Sequence, residues 1–169
     1  TSITKPEEAS ALLRKIQQQT GVRSALVYVS FTSIEGFEKS KDNDRLELRL
    51  VTGKEKTLYK QIEGTTRKRV LERAEKFRPE VANPISGRSY LAPAQQLHKW
   101  LIAPIEEVLQ AQGIQNLVFI MDAGLRSLPV AALYDGKEFL VEKYSVGLMP
   151  SLSLTDTSYT NIKNAEVLA

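Results

Sequence analysis

The chain has 169 residues, 42% of them hydrophobic, with 23 Lys and Arg against 20 Asp and Glu, giving a formal charge of +3. That length supports one α/β domain with a sizeable core. No apolar run approaches the roughly 20 residues a membrane span needs, so no membrane association is expected and the expected location is the cytoplasm. There are no cysteines, which excludes disulfides, thiolate metal sites and a cysteine nucleophile within these residues. A single histidine, His98, excludes zinc sites built on several imidazoles. The charges are of both signs and interspersed, so a nucleic-acid partner is not expected.

Taken in chain order, Thr4 and Glu7 have capping-box spacing and Pro6 sits in the first turn, which predicts a helix ending at Gly21, with Ala9, Leu12, Leu13 and Ile16 as its apolar stripe. Val22 to Phe31 is apolar on both faces and reads as a central strand. A polar connection from Ser33 to Asn43 leads to Arg45–Val51, where Leu46, Leu48 and Leu50 alternate with charged residues and predict a strand buried on one face. After the turn at Gly53, Leu58 to Ile62 reads as a short strand, and Thr66 to Arg78 as a helix burying Val70, Leu71, Ala74 and Phe77.

A helical pattern from Ala92 to Gln112 is interrupted by Pro104, which removes one ladder hydrogen bond and clashes with the carbonyl of Trp100, so a kink or two abutting helices is expected before the stop at Gly113. Leu117 to Met121 reads as a buried strand, Asp122-Ala123-Gly124 as a turn and Pro129 to Leu133 as a short helical stretch. Phe139 to Val141 and Tyr144 to Met149 are then expected to form a hairpin-like pair of strands. Residues 155–169 read as a polar connector into a strand cut short after Val167, Leu168 and Ala169, whose unpaired edge would favour self-association. The strands Val22–Phe31, Arg45–Val51 and Leu117–Met121 are expected to share one sheet with helices packed against it.

Candidate chemistry is sparse. His98 lies among Gln95, Gln96 and Lys99 and reads as a surface or boundary residue, whose replacement by alanine should leave folding within about ±0.5 kcal/mol. Arg67, Lys68 and Arg69, with Arg73 at helical spacing, read as a solvated helix face diluted by Glu72 and Glu75. The neighbouring acids Glu7-Glu8 and Glu106-Glu107 point apart on their helices and read as surface charge. Asp122 stands at a strand end, where α/β proteins place function, but capping the turn is its expected role. No P-loop, GxGxxG or GxSxG is present.

The segment from Leu97 to Leu154 resembles the front of CHAT domains, relatives of the caspase-like cysteine peptidases that are often joined to TPR repeats. The resemblance rests on an ordered series: Leu101 to Pro104, Leu117 to Ile120, Asp122, Leu125 to Pro129, Phe139 to Tyr144, and Pro150 to Leu154. Members usually show Pro-Asp-Gly at the turn, where this chain has Met121-Asp122-Ala123-Gly124. The resemblance implies a caspase-like α/β/α sandwich with a mixed sheet and flanking helices, of which residues 1–169 would be the N-terminal portion, cut at both ends. It places the family's catalytic His-Gly and Ser-Ala-Cys steps beyond Ala169, so no catalytic, cofactor-binding or metal-ligating residue is assigned here and no cofactor is expected. The implied role is scaffold, substrate-binding wall or regulatory region of a cysteine peptidase, the alternative being an interaction module acting on a neighbouring domain. The implied partners are the rest of the parent chain, with TPR repeats, and a protein or peptide.

Overall fold

A computed structural model of the chain describes residues 5–33, 41–54, 56–82 and 90–149. Its centre is a five-stranded mixed sheet in the order β3-β2-β1-β4-β5, formed by β1 (Ser24–Thr32), β2 (Arg45–Val51), β3 (Leu58–Thr66), β4 (Asn116–Met121) and β5 (Ser145–Leu148). β1 runs parallel to β4, and β4 parallel to β5, while β2 is antiparallel to both β1 and β3. The three strands expected to share a sheet do so, and β1 is interior, as its two apolar faces require.

The sheet alternation decides what packs where. Ala25, Val27 and Val29 of β1, Leu46, Leu48 and Leu50 of β2, and Leu117, Phe119 and Met121 of β4 point to one face. They are covered by α2 (Arg67–Ala82), α3 (Leu91–Leu101), α4 (Ala103–Ala111) and the short α5 (Leu140–Lys143). The opposite face carries Leu26, Val51 and Ile120, under Ala9 and Leu13 of α1 (Pro6–Thr20). The architecture is therefore α/β/α, an α/β fold with a mixed sheet between flanking helices, consistent with a caspase-like domain.

The first helix starts at Pro6 with Lys5 at its N-cap and no side-chain cap from it; the box expected between Thr4 and Glu7 rests on Thr4, which lies outside the described residues. Its end is as expected. Gly21 takes φ 75 and donates its N–H to the Gln17 carbonyl, a left-handed cap that a Cβ would strain. Ser10 donates to the carbonyls of Thr52 and Lys54 at 2.7 and 2.9 Å, and Arg14 to that of Gly53 at 2.7 Å, which fastens α1 to the turn after β2.

Two elements run longer than their patterns suggest. β3 continues past Ile62 to Thr66 because Gly64, at φ 72, accommodates an irregularity that shifts the β2–β3 register. α2 continues to Ala82. The proline reading holds in its two-helix form: α3 and α4 abut at Ile102, with Pro104 in the first turn of α4, where its missing N–H costs no ladder bond.

The hairpin expected from Phe139 to Met149 does not form. Phe139 makes one antiparallel bridge to Tyr134, Leu140–Lys143 is a helical turn, and Ser145–Leu148 pairs in parallel with β4. Glu142 explains the switch, since its carboxylate accepts from the Phe139 N–H at 2.6 Å and closes a capping turn over residues with high strand propensity. The connector and cut strand expected over 155–169 lie outside the described residues.

Candidate functional site

The carboxyl ends of the parallel strands β1 and β4 are where an open α/β sheet offers a crevice. Backbone pairing brings them together, with Asp122 N–H donating to the Val29 carbonyl at 2.9 Å. Asp122 Oδ1 accepts from the Gly124 N–H at 3.2 Å, the i to i+2 bond of an Asx turn, so the turn-capping role expected for it is realised. The glycine one position later than in Pro-Asp-Gly supplies that donor.

Arg67, the first residue of α2, reaches the same turn. Its guanidinium is 3.7 Å from Asp122 Oδ1 and lies over the Phe31 ring at 5.7 Å. Arg78, three helical turns on, donates to the Gly124 carbonyl at 2.8 Å while its Nε is buried without a partner. At the end of β1, Thr32 Oγ1 is likewise buried and has no partner among the described residues. Among the described residues, this strand end thus carries two guanidinium groups, an aromatic ring and one carboxylate, the last already engaged by a turn N–H and by Arg67. Such a set can hold a carboxylate or the backbone carbonyls of a peptide, and the sequence offers it no cysteine thiol.

The basic run expected to be a solvated face is dispersed rather than pooled. Arg67 is committed to Asp122, whereas Arg69 lies over Trp100 at 5.2 Å and donates to the Gly64 carbonyl at 2.9 Å. Lys68 is exposed. At the other end of β1, Arg14, Arg23 and Lys54 line a second cleft of about 340 Å³, but Arg14 and Arg23 are tied to the carbonyls of Gly53 and Gln112.

His98 is not a surface residue. It is 7% exposed and faces Glu106, with Nε2 3.7 Å from Oε2. Glu106 is likewise more than surface charge, because its Oε1 accepts from Lys143 Nζ at 3.0 Å, and Lys143 also bonds Asp135 at 2.6 Å. Burial lowers the His98 imidazole from its ordinary value, against the opposing pull of Glu106 and Asp135, with Lys143 adding to the lowering. Burial would raise the Asp135 carboxyl, but the N–H of Glu138, the Lys143 ammonium and the N–H of Lys137 outweigh it and hold the group well below the usual carboxylate range.

The burial of His98 was legible in principle. Ala94, Leu97, Leu101 and Ile105 are buried at helical spacing, and His98 is four residues from the first and three from the third, on the same stripe. Its polar chain neighbours obscured that. The Glu106–Lys143–Asp135 contact leaves no comparable trace, because it joins residues 37 positions apart through the turn around Asp135.

No curated protein matches this chain. Residues 91–169 match the family model described as the CHAT domain, a match that takes in α3, α4, β4, the Asp122 turn, α5 and β5. The segment from residue 91 onward is therefore similar to the CHAT domain family, and the mixed sheet with flanking helices is consistent with a caspase-like α/β fold.

Proposed function

We propose that these residues form the scaffold and peptide-binding wall of a CHAT-type, caspase-like cysteine peptidase domain, without a catalytic group of their own. The observation that carries this reading is the position of the family-matched Asp122 turn: it stands at the carboxyl ends of β4 and β1, facing Arg67 and Phe31, with its carboxylate already engaged. Ligands of open α/β sheets dock at such strand ends. Nucleophilic chemistry of the kind the family resemblance implies needs a thiol and an imidazole within hydrogen-bond reach. These 169 residues contain no cysteine, and the one imidazole is buried in the helical layer beside Glu106. The thiol and its base would be supplied by other polypeptide, and the wall would orient the peptide presented to them.

The test is a nuclear magnetic resonance titration of the ¹⁵N-labelled chain with a pool of extended peptides. Amide shifts concentrated at Phe31, Thr32, Arg67 and Asp122 to Arg126, and lost in Arg67→Ala, are the expected result. Shifts confined to other faces, or none at any peptide concentration, would overturn the reading.

A further inference from the structure

The corner where α3 meets α4 holds a carboxylate oxygen that nothing among the described residues satisfies. Glu106 Oε2 is buried with no hydrogen-bond partner, while Oε1 of the same group accepts from Lys143 at 3.0 Å and from Gln110 at 3.5 Å. A buried acceptor left unpaired is costly, and a charged one more so. The group facing Oε2 is the His98 imidazole, whose Nε2 stands 3.7 Å away, beyond hydrogen-bond range by under about 1 Å. An open cleft of about 530 Å³, lined by Ala92, Gln95, Lys99 and Asp135 among others, reaches His98 from solvent and gives protons access.

Among the described residues, the charged and titratable groups around this pair are Asp135 from the turn preceding α5, Lys143 from α5, Tyr144 directly after it, and Lys99 from the same helix as His98, which lines the same cleft. The paired charges are locked across the mildly acidic range: Lys143 is pushed up by its bonds to Asp135 and Glu106, and Asp135 is held down by backbone N–H groups and Lys143. Imidazole is the side chain whose ordinary titration falls in that range.

We propose that His98 and Glu106 form an acid-operated latch across the α3–α4 break: when the imidazole takes a proton, its Nε2–H closes on Glu106 Oε2. The closed corner is a chain of alternating charges, His98, Glu106, Lys143 and Asp135, that ties α3 and α4 to α5. Tyr144 and Ser145 follow Lys143 directly, and Ser145 donates its N–H to the Gln115 carbonyl at the start of the β4–β5 ladder. Closure of the latch is thereby felt at β5, one of the two edge strands among the described residues.

Because His98 is the sole histidine, its imidazole resonances need no assignment by mutation. Titrating the intact chain from pH 8 to 5 should move the Glu106, Lys143 and Ser145 amides with the same midpoint as the imidazole, and His98→Gln should abolish that shared transition. In Glu106→Gln the His98 midpoint should fall by roughly half a pH unit or more, since a carboxylate that favours the charged form is gone. Amides that stay flat through the imidazole midpoint of the wild-type chain would overturn the latch, and so would a Glu106→Gln midpoint that is unchanged or higher. The wild-type titration decides the matter even if a variant does not fold.

Discussion

On one face of the sheet, nine strand residues from Ala25 to Met121 lie beneath four helices. On the other, among the described residues, α1 lays Ala9 and Leu13 over Leu26, Val51 and Ile120. The thick face is held by apolar volume, with Leu46, Leu48, Leu117 and Phe119 all at 0% exposure. The thin face is held by fewer apolar groups together with the hydrogen bonds of Ser10 and Arg14, and beyond α1 it gives way to a ladder in which Arg49 lies between the rings of Tyr28 and Tyr59. One sheet thus has a face built for packing density and a face built for attachment, and the two should fail differently.

The largest contrast is between cavities. Phe119→Ala should cost about 3–5 kcal/mol because it empties the middle of the thick face, and Leu13→Ala about 2–3 kcal/mol because α1 can settle into the gap. Urea denaturation of both variants checks the order. A Leu13→Ala loss equal to or larger than that of Phe119→Ala would erase the distinction between the faces.

His98→Ala should cost about 1–3 kcal/mol, more than a surface histidine would, because the ring is buried in the helical layer. Its pH signature has a definite sign. The folded state holds the imidazole below its ordinary 6.5, so it binds fewer protons than the unfolded chain. Stability is then at its full value above about pH 6.5 and falls as pH drops below that value and through the folded one. Thermal unfolding between pH 5 and 8 should show this slope in the wild-type chain and a shallower one in His98→Ala; equal slopes would remove the assigned cause.

Smaller effects belong to the thin face. Gly21→Ala should cost about 1 kcal/mol by forcing a Cβ into the left-handed cap of α1. Tyr59→Ala should cost about 0.5–1 kcal/mol, since the ring is 52% exposed and its contact with Arg49 is a surface cation–π pair. A Tyr59→Ala loss above that of Gly21→Ala would mean that the ladder is buried by something the sheet itself does not provide.

The same contrast explains what was readable from the sequence. Period-2 and period-3.6 patterns located β1, β2, β4 and the helices α1 to α4, because each has a clear apolar face to bury. The segment from Phe139 to Leu148 was misread because Phe139, Leu140 and Val141 have strand propensity, whereas one carboxylate, Glu142, and the pairing of β5 with β4 decide their conformation. At the candidate site, Asp122 was legible from its place between a strand and a glycine. The approach of Arg67 and Phe31 was not, because it depends on how α2 returns across the sheet. His98 sat on a visible stripe, yet its meaning came only with Glu106 and Lys143 in view.

The central claim is that this chain shapes a peptidase domain without performing its chemistry. Peptide hydrolysis by the purified 169-residue chain, assayed against a broad peptide pool with and without added divalent metal, tests it most directly. The account predicts no turnover above buffer, unchanged in His98→Ala. Turnover that survives repeated purification and disappears in His98→Ala would contradict it.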